Sequence, residues 1–247
     1  MCTCSWLIRP TGFELFFNRD EARTRGEASG PEPGERDGVR YLAPRDADAG
    51  GTWIGVNEHG LALCLLNAWH LGGPRPAGEY RSRGLLVREL LVERSVTSVR
   101  EALRRVEVVR YRGFSLAAFA TGAPPVRFDW DGERLEEREA RQPLSSSSFD
   151  AAGAEEARGK LLASLGQEGA RDRAQLLAFH RSHAPERGPL SPCMHRPDAR
   201  TVSSSHLVVE RDAVRFAYAA GPPCRFAYAE PVVLARRAVL RDQVPDG

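Results

Sequence analysis

The chain has 247 residues, of which 42% are hydrophobic and 28% are charged. This length and balance predict a folded globular protein with a sizeable core, and they argue against a disordered chain. The 35 basic and 33 acidic residues leave a net charge of +2, which argues against general nucleic-acid binding. No apolar run approaches the length of a membrane span, and the first residues lack a secretory signal, so we expect a cytoplasmic protein.

The five cysteines are an odd number, which together with the lack of a secretory signal argues against a disulfide framework. Two short pairs, Cys2 with Cys4 and Cys193 with His195, contain residue types that bind zinc. Neither pair has the spacing of a paired-cysteine zinc knuckle. The sequence therefore predicts no metal site.

The N-terminal part of the chain predicts two β-hairpins. Residues 2–8 pair with 13–18 across a turn at 9–12, and residues 52–57 pair with 61–66 across a second turn. The polar stretch at 23–48 is rich in glycine and proline, which predicts a loop. The stretch at 68–78 also carries glycines and prolines and is predicted to be a loop.

The rest of the chain predicts helices followed by strands, twice over. Two helices are expected at 82–93 and from Ser95 or Thr97 onward, because either residue is a good N-cap. The serine run at 145–148 is interpreted as low complexity. The pentapeptide Arg-Phe-Ala-Tyr-Ala occurs at 215 and again at 225, and we interpret it as two similar strands. The further predicted elements are strands at 114–120 and 126–130, helices at 151–165 and 171–183, and strands at 201–209, 213–219 and 225–234.

The order of these elements is dominated by hairpins, and strand–helix–strand alternation is weak. Such an order predicts an α+β fold in which antiparallel sheets pack against outer helices. No linker separates two cores, so we expect a single domain over residues 1–247.

Cys2 is a candidate nucleophile, because removal of Met1 would place its thiol and a free α-amine on one residue. An α-amine has a pKa of about 7.7–8.0, so it can act as a base near neutral pH. This pairing follows the logic by which amine-activated hydrolases work. The alternative is a buried strand cysteine, which is common.

The segment Asn18-Arg19-Asp20-Glu21 ends the second strand and is expected to lie opposite Cys2. Alternation along a strand places Arg19 and Glu21 on one face and Asn18 and Asp20 on the other. A cation near a thiol lowers its pKa, and a carboxylate can hold an α-amine. A salt-bridged turn is the alternative interpretation.

Two strand ends supply further candidates. Asn67 follows the apolar strand at 61–66, and a side-chain amide beside a thiol can form an oxyanion hole. Asn57 suits the adjacent turn better. Arg200 begins a late strand. Trp53 and Trp69 lie in segments that would suit an acyl group, although both could equally belong to the core.

These motifs together resemble the NRDE family, the transport-and-Golgi-organisation family. The resemblance rests on the Met-Cys start, Asn18-Arg19-Asp20-Glu21, the sequence Gly-Gly-Thr-Trp-Ile-Gly-Val-Asn at 50–57, and a Leu-Leu-Asn strand end at Asn67. It covers residues 1–67 in order and spacing. It implies a four-layer αββα sandwich of two antiparallel sheets, an N-terminal-nucleophile hydrolase-like fold. It also implies a distant similarity to choloylglycine hydrolases and penicillin V acylases.

The resemblance also implies where catalytic residues would lie. The matching positions are Cys2, Arg19, Asp20, Asn67 and Arg200. Glu21 competes with Asp20, because the acid of those acylases follows the arginine by three residues. A second amide would fall near 145–148, where this sequence has only serines.

The implied activity is hydrolysis of a non-peptide C–N amide bond through a thioester on Cys2, with a small-molecule amide or acyl substrate and no cofactor. The alternative is a non-catalytic carrier, because eukaryotic NRDE members are linked to the trafficking of haem and to lipid and acyl-CoA balance. Candidate haem ligands would be His59, His70, His195 and Cys2. A third interpretation is an interaction domain with an inert Cys2. Cys4 would be a resolving thiol or a core residue.

Overall fold

The computed structural model describes residues 2–68 and 80–237. Trp69, His70 and nearly all of the predicted loop at 68–78 lie outside the described residues. The described strands are β1 (Cys2–Arg9), β2 (Gly12–Ala22), β3 (Glu32–Arg36), β4 (Val39–Ala43), β5 (Ile54–Asn57), β6 (Ala62–Asn67), β7 (Phe114–Phe119), β8 (Val126–Trp130), β9 (Leu135–Glu139), β10 (Leu144–Ser146), β11 (Ala199–Val209), β12 (Ala213–Ala219) and β13 (Val232–Ala235). The described helices are α1 (Arg83–Leu90), α2 (Val96–Arg105), α3 (Ala151–Ser164) and α4 (Arg173–Arg181).

The strands form two antiparallel sheets. The first sheet has the order β10-β1-β2-β11-β12-β13, and the second has the order β3-β4-β5-β6-β7-β8-β9. The predicted N-terminal hairpin, β1 with β2, lies in the middle of the first sheet. Both of its strands are therefore hydrogen-bonded on both sides, by β10 and by β11.

Three apolar layers hold the sheets and helices together. The inner faces of the two sheets pack against each other through side chains such as Trp6, Phe17, Ile54, Cys64 and Phe119. Helices α1 and α2 cover the outer face of the second sheet, and α3 and α4 cover the outer face of the first. The fold is therefore α+β, with the predicted order of layers: helices, sheet, sheet, helices.

The stretch at 23–48 is not the loop that was predicted, because it contains the hairpin of β3 and β4. Pro33 and Gly34 are tolerated because β3 is the edge strand of its sheet. The turn is Asp37-Gly38, and both residues have a positive φ, of 52° and 73°. Asp-Gly is a strong hairpin signal that the glycine and proline content of the stretch concealed.

Three further predictions along the chain are corrected. The serine run forms part of β10, which pairs with β1. β9 was not predicted, because its charged and mostly exposed residues suit an edge strand and give no apolar pattern. The second copy of the repeated pentapeptide, which starts at Arg225, is irregular, and the final strand begins only at Val232. Proline lacks the backbone N–H that a strand donates, and Pro222, Pro223 and Pro231 flank this segment.

The helix starts follow their N-caps. Ser95 rather than Thr97 caps α2, with a capping box shared with Ser98. Asp150 caps α3 and Asp172 caps α4 through their side chains. Of the helices in the described ranges, none is both long enough and apolar enough to cross a membrane.

Candidate active site

A cavity of about 400 Å³ opens where the start of β1, the ends of β2 and β6, and the start of α1 meet. Its walls include four of the five predicted catalytic residues. Its charged and polar lining residues are Cys2, Arg19, Asp20, Glu21, Arg25, Asp46, Thr52, Asn67, Tyr80, Arg81, Ser82, Arg83 and Arg112.

Cys2 is the residue that could act as a nucleophile at this cavity. It is 6% exposed and pairs with Arg19 on one side and Ser146 on the other. Its backbone N–H donates to Ser146 Oγ at 3.0 Å. Burial raises the pKa of the Cys2 thiol to about 11, although a hydrogen bond with the Asp20 backbone and the charge of Arg19 act in the opposite direction. The thiol is therefore protonated at neutral pH, and a base must take its proton before it can attack.

Asp20 lies fully buried beside Cys2. Its Oδ1 accepts a hydrogen bond of 2.6 Å from Thr201 Oγ1, and its Oδ2 lies 3.7 Å from Arg158 Nη2. Burial raises the pKa of Asp20, and the charge of Arg158 counteracts this rise. Glu21 instead lies half-buried at the rim, where it is 3.7 Å from Arg19 and 3.8 Å from Arg25. Of the two acids, Asp20 is the one placed in the protein interior.

Arg158 is a site residue that sequence reasoning missed. It is fully buried on α3, and its guanidinium donates to the backbone carbonyls of Cys2, Pro189, Leu190 and Ser191. The signal was present in the sequence, because Ala154, Arg158 and Leu162 form the buried stripe of α3. A charged residue in the apolar stripe of a helix is rarely buried without a partner.

Arg19 is held rigidly at the cavity wall. Its Nη2 donates to Asp46 Oδ2 at 2.5 Å, and its guanidinium stacks 4.1 Å from the ring centre of Trp53. Arg25 binds the same carboxylate with contacts of 2.9 and 2.8 Å. The charge of Asp46 is thus shared between Arg19 and Arg25, so neither arginine is an unpaired cation.

Asn18, the first residue of the segment Asn18-Arg19-Asp20-Glu21, stabilises the fold and does not line the cavity. Its Nδ2 donates to the carbonyls of His180 and Pro192, and its Oδ1 accepts from Ser204 Oγ. Asn57 likewise holds its turn, because its Oδ1 accepts from the backbone N–H groups of His59 and Leu61. Asn67, by contrast, is half-buried at the end of β6 and lines the cavity with Cys2.

Arg200 does not line this cavity, in contrast to its predicted place in the site. It is exposed on β11 opposite Glu21, and it faces a separate cavity of about 90 Å³. Arg19, Glu21 and Arg25 line both cavities and so stand between Arg200 and Cys2. The prediction fails because β11 runs past the Cys2 cavity on the far side of β2.

The lining of the cavity carries more basic than acidic residues. Five arginines and three acids line it among the described residues. Arg83 is half-buried and donates to the carbonyl of Gly113 at 2.9 Å. Burial and the nearby charge of Arg112 lower the pKa of Arg83 to about 10. Trp53, expected either beside an acyl group or in the core, belongs to the inter-sheet core and also lines the cavity, with Arg19 stacked on its ring.

The candidate haem ligands are dispersed. No histidine among residues 2–68 and 80–237 lines the Cys2 cavity, and His70 lies outside those residues. His59 lies at the turn before β6, while His195 lies close to Cys193 and Cys224. Cys4 faces Cys64 across the inter-sheet core, with the two Sγ atoms 3.7 Å apart, so it is a core residue.

Solved structures with this fold share the whole sandwich. A variant of conjugated bile acid hydrolase from Clostridium perfringens matches at 11% identity with a TM-score of 0.59, covering 97% of both chains. Penicillin V acylase from Agrobacterium tumefaciens matches at 13% identity with a TM-score of 0.54, covering 93% of this chain and 86% of that one. The Caenorhabditis elegans ortholog of N-acylethanolamine-hydrolyzing acid amidase matches at 14% identity with a TM-score of 0.54, covering 84% of this chain and 92% of that one.

These likenesses establish the fold, which is that of the N-terminal-nucleophile hydrolases. A family model described as Transport and Golgi organisation 2 matches residues 1–142, which is more than half of the chain. The chain belongs to this family, and the resemblance inferred from its first 67 residues is confirmed. No curated protein matches the chain.

Proposed function

We propose that this protein is an N-terminal-cysteine amidohydrolase that cleaves a non-peptide C–N amide bond through a thioester on Cys2. One observation carries the proposal: Cys2 lines a cavity at the start of a central strand, with its backbone nitrogen bound to Ser146 and with Asp20 beside its thiol. The fold, which is shared with enzymes named as hydrolases and acylases, supports the same chemistry.

The reaction begins once Met1 has been removed, so that Cys2 carries a free α-amine. The buried thiol keeps its proton at neutral pH, and the α-amine of the same residue is the nearest available base. The amine takes the thiol proton as Sγ attacks the substrate carbonyl carbon. Ser146 Oγ, 3.0 Å from the Cys2 nitrogen, orients that amine. The buried Asp20 provides a negative charge that stabilises the amine once it is protonated.

The tetrahedral intermediate then collapses to the thioester. Its oxyanion is stabilised by the side-chain amide of Asn67, which faces the same cavity. The C–N bond breaks, and the leaving amine takes the proton that the α-amine holds. Water then attacks the thioester, losing its proton to the α-amine, and the carboxylic acid is released with the Cys2 thiol restored.

The charge of the cavity indicates a substrate that carries an anionic group. Arg19 and Arg25 share Asp46, whereas the charge of Arg112 disfavours the charged state of Arg83 and helps to lower its pKa. A substrate carboxylate beside these two guanidiniums would relieve that repulsion and form charge-assisted hydrogen bonds. N-acyl amino acids have both the amide bond and the carboxylate.

The first test is the intact mass of the full chain purified from cells. A mass lower by one methionine leaves Cys2 with the α-amine that the mechanism requires. Full retention of Met1 would contradict the amine relay, because an amide nitrogen is not a base.

The second test is hydrolysis of N-acyl amino acids, followed by detection of the released amine. Cys2→Ala is expected to abolish turnover, whereas Cys4→Ala, on the same face of β1, is expected to retain it. Acid quenching during turnover should trap the acyl group on Cys2, detected by peptide mass. Full turnover in Cys2→Ala would contradict the proposal.

The third test separates anionic from neutral amides. Arg83→Met and Arg112→Met are expected to raise KM for N-acyl amino acids by about tenfold, and to leave KM for uncharged N-acyl amines unchanged. Arg104→Met, on the exposed face of α2, is the matched control.

The carrier alternative predicts instead a Soret band on addition of haem that Cys2→Ala removes, without amide turnover.

A further inference from the structure

We propose that His183, Cys193, His195 and Cys224 form a structural zinc site that joins two loops beside the first sheet. One potential ligand atom from each of these four residues lies within 4.8 Å of all the others. Two thiolates and two imidazoles are a donor set that zinc prefers, and four protein ligands make a closed, structural site.

Two distances within the cluster equal those between ligands of one tetrahedral zinc ion. His195 Nε2 lies 3.6 Å from Cys193 Sγ and 3.4 Å from Cys224 Sγ. With zinc bonds of about 2.3 Å to sulfur and about 2.0–2.1 Å to nitrogen, tetrahedral angles place two such ligand atoms about 3.5 Å apart. His195 Nε2 therefore already lies at the spacing of a co-ligand from both sulfurs, and the remaining ligand atoms of the cluster lie within 4.8 Å of one another.

A second observation comes from the polar atoms of the cluster. His183 Nε2 is buried and has no hydrogen-bond partner among residues 2–68 and 80–237. A buried ring nitrogen without a partner costs free energy, and a bound ion would supply that partner. The centre of the His183 ring lies 5.0 Å from that of the His195 ring, with the two ring planes at 69°.

The site would fix chain segments that secondary structure does not hold. His183, Cys193 and His195 lie in the irregular segment between α4 and β11, and Cys224 lies between β12 and β13. The backbone hydrogen bonds of these loops include the bond from Cys193 N–H to the carbonyl of Ser182 and the bond from Thr201 N–H to the carbonyl of Met194. A zinc ion would connect the two loops without any disulfide.

The proposed zinc site also lies behind the Cys2 cavity. Thr201 Oγ1, which donates to Asp20, also accepts from the backbone N–H of Met194, the residue between two ligands. Pro192, next to Cys193, accepts from Asn18 Nδ2. Loss of zinc would therefore loosen the loop that positions Thr201 and β2, while leaving the residues that line the cavity unchanged.

The test is the zinc content of the full chain. The protein is incubated with zinc sulfate and a reductant, freed of unbound metal by gel filtration, and analysed by inductively coupled plasma mass spectrometry. One zinc ion per chain is expected. Cys224→Ser and His183→Gln are expected to lose the ion, whereas Cys64→Ala and His59→Gln, which change the same residue types elsewhere, are expected to keep it.

Cobalt substitution identifies the ligands independently of folding in the variants. Cobalt bound by two thiolates gives an intense thiolate-to-cobalt charge-transfer band and tetrahedral d–d bands in the wild-type protein. A reduced wild-type protein that retains no zinc, or a Cys193–Cys224 disulfide that persists in reductant, would overturn the proposal. Cys2→Ala should bind zinc normally, so this result is independent of the proposed hydrolase activity.

Discussion

Glu14 offers a quantitative test of how the first sheet is attached to its helices. Its side chain is only 4% exposed, and its carboxylate contacts Arg9 at 3.1 Å, Arg173 at 2.7 Å and His206 at 3.1 Å. Burial by itself raises the pKa of Glu14, but the hydrogen bonds from these three partners outweigh it and lower the pKa from 4.5 to about 2.

The magnitude follows from that pKa. A fall from 4.5 to about 2 corresponds to about 3 kcal/mol of folding free energy, at about 1.36 kcal/mol for each pH unit. Arg9 and Arg173 are each about half exposed, so solvent screening reduces the expected value to about 2 kcal/mol. Because the folded pKa is depressed, this stability is present above pH 4.5 and is lost as the pH falls towards 2.

The assay is urea unfolding of Glu14→Gln at pH 7 and at pH 3. The variant should be less stable than the wild type by about 2 kcal/mol at pH 7, and the difference should shrink at pH 3, where the wild-type advantage is partly lost. Glu35→Gln, at an exposed position of β3, is the control and should change stability by less than about 0.5 kcal/mol. Equal wild-type and Glu14→Gln stabilities at pH 7, or a difference independent of pH, would refute the reasoning.

Three further predictions concern the cavity. Asp20→Asn should lower the free energy of unfolding by about 3 kcal/mol, because it leaves the buried Arg158 without its counter-charge. Urea unfolding measures this loss. An equal loss when Asp20→Asn is made in an Arg158→Met background would contradict the prediction. Gly51→Ala should cost about 1–3 kcal/mol by the same assay, since its Cβ would lie 2.4 Å from the Gly84 backbone at the start of α1, and a wild-type stability would refute this. Asn67→Ala should reduce kcat on an N-acyl amino acid about a hundredfold with thermal unfolding unchanged, and an unaltered kcat would remove Asn67 from the oxyanion hole.

The sequence was sufficient where the determining interactions are local. The hairpin of β1 and β2, the hairpin of β5 and β6, and the existence of the four helices follow from alternation, helical periodicity and turn residues within short windows. The order of the elements was enough for the α+β class. The first 67 residues were enough for the family, because several short motifs occurred together at matching spacings.

The local signals were misleading where composition concealed geometry. The Asp37-Gly38 turn lay inside a stretch that reads as a loop, and the serine run at 145–148 reads as low complexity although Ser146 borders Cys2. The pentapeptide at 225 repeats a strand sequence, but prolines flank it and it forms no strand. In each case the local structure depends on the strand that packs beside the segment, and a short window of sequence does not contain that strand.

Only the tertiary structure decided the environment of Cys2, the proposed nucleophile, and of the proposed metal site. Ser146 and Arg158 contact Cys2 across 144 and 156 residues of chain, and no local pattern encodes such contacts. Arg200 starts a strand as predicted, yet the position of that strand in the sheet places it outside the cavity. The spacing of Cys193 and His195 argued against metal, whereas folding brings Cys224 to them from another loop. The local sequence determines which residues can pair within a turn or strand. The packing of distant segments determines which side chains lie close enough to act in one site.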